Sequence, residues 1–184
     1  ECTTSYSMIT NNGTLVIDGE GKISMTDTSA GGGSVWGSYT ITNHGTLTVN
    51  NGTIEHLGST DDWGDDRPTN IPIQNYQGKV TVNGGVISSP QFRSLRDFTA
   101  GGEIVINGGI FKGQVWMQGL GNGSSSLTIN GGEFSPTQGY DGSSVFVTNG
   151  TNDILVSVTG GKFNTKIGCN AATKAGIKGA VKGG

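Results

Sequence analysis

Three short phrases recur 32 residues apart: Ile9-Thr10-Asn11, Ile41-Thr42-Asn43 and Ile73-Gln74-Asn75. Each is followed by a glycine (Gly13, Gly45, Gly78) and then by an alternating apolar run. A unit of this length cannot bury its apolar face alone and must stack on copies of itself. The spacing therefore predicts a solenoid. A solenoid is a scaffold, so any activity must lie in sites grafted onto it.

The part of the repeat after the glycine is the most regular. It reads Leu47-Thr48-Val49-Asn50-Asn51-Gly52-Thr53-Ile54, then Val80-Thr81-Val82-Asn83-Gly84-Gly85-Val86-Ile87. Ile104 to Phe111, Leu127 to Phe134 and Val156 to Phe163 follow the same pattern, and Leu15 to Ile23 is a looser first copy. From Leu15 to Leu47, Val80, Ile104, Leu127 and Val156 the steps are 32, 33, 24, 23 and 29 residues. Apolar residues at every second position are the period of a strand. The Asn-Gly-Gly between the two apolar pieces reads as a corner, since glycine takes positive φ at little cost and asparagine tolerates it better than most residues.

This pattern predicts three inward columns. Leu47, Val80, Ile104 and Leu127 form one, and Val49, Val82, Ile106, Ile129 and Val158 a second. Ile54, Ile87, Phe111, Phe134 and Phe163 form a third, ending in an aromatic ladder. Parallel pairing between successive coils at about 4.8 Å gives a rod on the order of 30 Å long. The expected fold is all-β: a single-domain parallel β-solenoid of about six to seven coils with short caps. Residues 1–12 are read as the N-terminal cap, 13–165 as the solenoid and 166–184 as a basic Gly/Ala/Lys tail.

The Asn-Gly-Gly-x-Phe units resemble those of bacterial surface proteins and of phage fibre or spike proteins. More broadly, the chain resembles the right-handed parallel β-helix of the pectin-lyase-like superfold. That resemblance implies a right-handed β-helix. It also implies two lines of work, structural or adhesive for the first group and polysaccharide cleavage for the second.

Thirty-four glycines and a 32% hydrophobic content suit a thin column better than a globe. A net charge of −3 gives no general case for nucleic-acid binding. No apolar run approaches the roughly 20 residues of a membrane span. The first residue is Glu1, which reads as a processed product or a fragment, with any signal peptide already absent. Cys2 and Cys169 lie near opposite ends of the chain. A bond within the chain, a bond between chains and two separate thiols all remain open, although opposite ends of a rod are too far apart for the first. Asn12, Asn51, Asn122 and Asn149 each begin an Asn-Gly-Thr or Asn-Gly-Ser triplet. In a secreted eukaryotic protein these are candidate N-glycosylation sites. In a Gly/Asn/Thr-rich solenoid the same triplets arise from turn chemistry.

The densest polar cluster is Asp61-Asp62-Trp63-Gly64-Asp65-Asp66-Arg67. Its carboxylates suggest calcium, which takes several oxygen ligands from a bent loop, but the spacing is not that of an EF-hand. A tryptophan among carboxylates also suits a sugar, whose C–H faces stack on a ring while its hydroxyls seek acceptors. Trp63, Asp61, Asp62, Asp65, Asp66 and Arg67 are therefore the candidate glycan or partner contact. Trp36, Tyr39, Trp116 and Tyr140 are further aromatics outside the inward pattern. For a polysaccharide-cleaving enzyme, Arg93 or Arg96 within Arg93-Ser94-Leu95-Arg96-Asp97 would supply the base; the plainer reading of these residues is a surface ion pair. His44 and His56 have no cysteine at metal-ligand spacing, so no zinc site is indicated.

The expectation that follows is a non-enzymatic structural protein of an extracellular fibre, cell surface or virion. It would assemble with copies of itself or with a larger particle, and attach to glycans through the Trp63 loop. No cofactor is expected, the Asp61–Asp66 carboxylates reading first as a solvated acidic loop and only second as a calcium site, and neither nucleic acid nor membrane insertion is expected.

Overall fold

A computed structural model of the chain describes residues 6–26, 37–57, 70–137, 142–148, 154–169 and 177–178. Nearly all of these residues lie in strands or in the turns between them. The first repeat contributes β1 (Tyr6–Asn11), β2 (Thr14–Ile17) and β3 (Lys22–Met25). The second contributes β4 (Ser38–Asn43), β5 (Thr46–Val49) and β6 (Thr53–His56). Then come β7 (Asn70–Tyr76), β8 (Lys79–Val82), β9 (Val86–Thr99), β10 (Glu103–Ile106), β11 (Ile110–Leu120), β12 (Ser125–Ile129) and β13 (Glu133–Phe134). The last are β14 (Val145–Val147), β15 (Ile154–Val158), β16 (Lys162–Phe163), β17 (Ile167–Cys169) and β18 (Ile177–Lys178).

These strands form two sheets, and every pairing is parallel. The seven-stranded sheet has the order β18-β15-β12-β10-β8-β5-β2. The eleven-stranded sheet, nearly closed on itself, follows β1-β4-β7-β9-β11-β13-β16, with β3, β6, β14 and β17 on side branches. The branches arise because β9 and β11 are long enough to pair twice. Val86–Ser88 of β9 pair with β6, whereas Leu95–Thr99 pair with β7. No helix among the described residues is long and apolar enough to cross a membrane.

The alternation places the columns as the sequence predicts. Leu15, Leu47, Val80, Ile104, Leu127 and Val156 are in register across the smaller sheet, as are Ile17, Val49, Val82, Ile106, Ile129 and Val158. From the second repeat onward both rows are buried. Ile23, Ile54, Ile87, Phe111, Phe134 and Phe163 form the third row. Its phenylalanines stack face to face, with centroids 5.0 Å apart for Phe111–Phe134 and 4.7 Å for Phe134–Phe163. These rows meet in one apolar cluster.

Where a corner carries two adjacent glycines, they have different jobs. The second takes positive φ, +82° at Gly85 and +95° at Gly109, which turns the chain toward the next strand. The first must lack a side chain because of the repeat before it. A Cβ at Gly108 would lie 2.6 Å from the Asn83 carbonyl oxygen, and one at Gly131 2.6 Å from that of Asn107. Outside these corners the asparagines form an exposed ladder. The amide of Asn83 donates to Asn50 at 2.9 Å, Asn107 to Asn83 at 2.8 Å and Asn130 to Asn107 at 2.8 Å.

Strands in both flanking segments join the sheets. β1, within residues 1–12, pairs with β4 in register, and β17 and β18, within 166–184, pair with β14 and β15. The segment Pro90–Phe98 belongs to strand β9.

Candidate functional site

The strand period separates two neighbours in the sequence, Arg96 and Asp97. They lie on opposite faces of β9, and each joins a different polar structure. The expected surface ion pair at Arg93, Arg96 and Asp97 is therefore corrected: Arg93 and Asp97 are both fully buried.

On one face, arginines and aromatics gather across β4, β7, β9 and β11. The Arg93 guanidinium lies over the Trp116 indole, 3.1 Å from the ring centroid. Arg96 lies 4.3 Å from the Phe98 centroid and 5.1 Å from that of Trp116. Its Nε donates to Gln118 Oε1 at 3.0 Å, and its Nη2 donates to the same oxygen. The Trp116 indole N–H donates to Thr148 at 2.7 Å. Tyr76 sits edge-on to Phe98 at 5.6 Å and stacks on His44 at 5.2 Å. Such cation–π contacts are strongest where water is excluded. Register brings Gln74, Arg96, Trp116 and Phe146 into one row across four strands.

Burial pushes the Arg96 guanidinium down to about 10, against the nearby Tyr39 and Tyr76, which favour its charge. Burial, together with the neighbouring Tyr39, pushes the Tyr76 phenol up. Both groups therefore stay protonated at neutral pH. Arg96 is a poor proton acceptor there, since a general base works best with a pKa near the operating pH. Arg96 fits the role of a fixed positive charge among rings.

On the other face lies a second, buried asparagine chain. The amide of Asn11 donates to Asn43 Oδ1 at 2.7 Å, Asn43 to Asn75 at 2.8 Å, and Asn75 to Asp97 Oδ1 at 2.8 Å. The same amides also bond nearby carbonyls, as Asn75 does to Gly78 at 2.8 Å. Glycines at two positions make room for the chain. A Cβ at Gly78 would meet the Asn43 and Asn75 side chains, and one at Gly102 would overlap the Asp97 carboxyl. The next residue in register after Asp97 is Met117, whose thioether is only a weak acceptor for a further amide. An acceptor-only carboxylate is thus a fitting end to the chain.

Burial raises the Asp97 carboxyl from its ordinary 3.8 to about 6, although Asn75 and Ser125 favour its ionised form. The folded state binds this proton more tightly than the unfolded chain, so stability falls as pH rises from about 4 to about 6. The full effect is roughly 3 kcal/mol, of which about 1 kcal/mol is gained on acidifying from pH 7 to pH 5. Denaturant unfolding at the two pH values should show this gain, and Asp97→Asn should abolish it. An unchanged pH dependence in the variant would refute the assignment. Glu55 works the other way but at lower pH. Its own burial raises its pKa, but the Ser24 hydroxyl at 2.8 Å and Lys22 at 3.1 Å outweigh this and lower it overall.

Asp61, Asp62, Trp63, Asp65, Asp66 and Arg67 lie outside the described residues, as do Trp36, Tyr140, Asn149 and Cys2. Asn12, Asn51 and Asn122 are exposed in turns, and Cys169 ends β17 half-buried. Among the described residues no three His, Cys, Asp or Glu side chains gather as a metal site. Tyr39 and Trp116, noted in the sequence only as aromatics outside the core, both belong to the arginine cluster. Tyr76, Phe98 and Gln118 were not anticipated. The signal for the buried chain was present in the 32-residue recurrence of Asn11, Asn43 and Asn75.

No family model, curated protein or solved structure matches the chain. The expected membership of the pectin-lyase-like superfold, and the likeness to surface and phage fibre repeats, are corrected accordingly. The strands stack in two parallel sheets, the larger nearly closed, and this arrangement does not identify that superfold's β-helix.

Proposed function

We propose that the chain is a structural protein without catalytic activity: a single-domain β-solenoid of about six to seven coils. It works by assembly, with copies of itself or within a larger extracellular fibre, cell surface or virion. Glycan attachment is its second role, through the loop of Trp63, Asp61, Asp62, Asp65, Asp66 and Arg67. The observation that carries the assembly reading is the character of the first-repeat edge. Among the described residues β1 pairs only with β4, and β2 only with β5. From Tyr6 to Ile17 there is no charge and no proline, and Met8 and Val16 are 49% and 55% exposed. Such an edge is a template for another strand, and proteins that must stay single usually blunt it with charge, proline or a bulge.

Light scattering over a concentration series tests this. The expected result is concentration-dependent association that is lost when Met8→Lys and Val16→Lys are combined. A protein that stays monomeric throughout would refute the assembly role. Deleting residues 60–67 should leave thermal unfolding unchanged while removing retention on a glycan array. Unchanged retention would refute the contact role of that loop.

A further inference from the structure

Asn-Gly is the dipeptide in which asparagine is chemically least stable, because a glycine nitrogen attacks the neighbouring side chain without steric hindrance. The chain contains such pairs at Asn12, Asn51, Asn83, Asn107, Asn122 and Asn130, and another at Asn149 outside the described residues. The fold divides the described pairs into classes.

Asn83, Asn107 and Asn130 are rungs of the exposed ladder. Each donates through its amide to the preceding rung. The side-chain oxygens of Asn83 and Asn107 accept from the following asparagine, and that of Asn130 accepts from the Thr159 hydroxyl at 3.0 Å. Rotating any of these side chains onto its own following nitrogen breaks two hydrogen bonds. At Asn12 the attacking nitrogen is itself engaged, since Gly13 N–H donates to Asn11 Oδ1 at 3.1 Å. Asn51 is exposed, but the glycine that follows it, Gly52, is buried against Gly21 of the preceding repeat. Asn122 has none of these restraints. It is exposed in the turn between β11 and β12, flanked by Gly121 at φ +103° and Gly123 at φ +129°. Its side chain makes no hydrogen bond among the described residues.

We infer that Asn122 is a site of spontaneous deamidation, and that the exposed ladder shields the corner asparagines from the same reaction. The Gly123 backbone nitrogen attacks Asn122 Cγ and forms the new C–N bond. The Cγ–Nδ2 bond breaks, and the amide leaves as ammonia with the proton from Gly123. Water then opens the resulting ring at either carbonyl, giving aspartate or isoaspartate. No oxidation or reduction occurs, and water is the only co-reactant. The product carries a new negative charge and no longer forms the Asn-Gly-Ser triplet.

The test is peptide mapping by mass spectrometry of the whole protein aged at mildly alkaline pH, folded and in guanidinium. In the folded protein Asn122 should convert at least about tenfold faster than Asn107 or Asn130, the rate equivalent of roughly 1.4 kcal/mol of tethering. In guanidinium that difference should vanish. Asn107→Ala removes the acceptor for the Asn130 amide, so Asn130 should convert faster in the folded variant. Equal rates in the folded protein, or the same hierarchy in guanidinium, would overturn the inference. The folded-against-unfolded comparison decides it even where the variant does not fold.

Discussion

Replacing Ile106 by Asp should abolish the folded state. Ile106 lies mid-sheet, between Val82 and Ile129 in register, and is fully buried. A carboxylate there meets only apolar side chains, and burying it ionised or protonated without a partner costs several kcal/mol. That approaches the whole stability expected of a domain this size, roughly 5–15 kcal/mol. The parallel arrangement adds to the damage, because the strands of each repeat are held mainly by those of neighbouring repeats. Circular dichroism and exclusion chromatography of the variant should show an unfolded or aggregated chain. A soluble variant with native spectrum and unchanged unfolding midpoint would rule out the inward assignment of this column.

Phe134→Ala should be the costliest truncation in the third column. Its ring stacks between Phe111 and Phe163 with interplanar angles of 8° on both sides. Removing it leaves a ring-sized cavity, and the neighbours cannot close it because main-chain pairing sets their separation. Buried phenylalanine truncations cost about 3–5 kcal/mol, and the two lost ring contacts place this one toward the upper end. Phe163→Ala, at a half-buried position, should cost clearly less. Denaturant unfolding of the two variants checks the order, and equal costs would show that the stack contributes no more than ordinary burial.

The three apolar columns were legible in the sequence because they depend on local rules. A strand alternates its faces every residue, and a glycine corner resets the chain at a recognisable place. Leu47, Val49 and Ile54 therefore declare their direction without reference to any partner. The polar residues obey no such rule, and their roles were open. Arg93-Ser94-Leu95-Arg96-Asp97 was compatible with a base or a surface ion pair. What decides it is which strands lie beside β9, and that register is set by contacts distant in the chain.

The same segment shows where the boundary falls. Asn11, Asn43 and Asn75 recur every 32 residues, so their equivalence follows from the sequence alone. The next member of the row is Asp97, only 22 residues further on. Repeat length changes there, and no periodicity points to an aspartate as the end of an asparagine chain. Only the tertiary structure brings its carboxyl to the Asn75 amide, lifts its pKa by burial, and turns Arg96 to the opposite face among aromatic rings. Apolar direction is a property of the local chain, whereas the partner of a buried charge is a property of the packed neighbours, which a linear sequence does not place side by side.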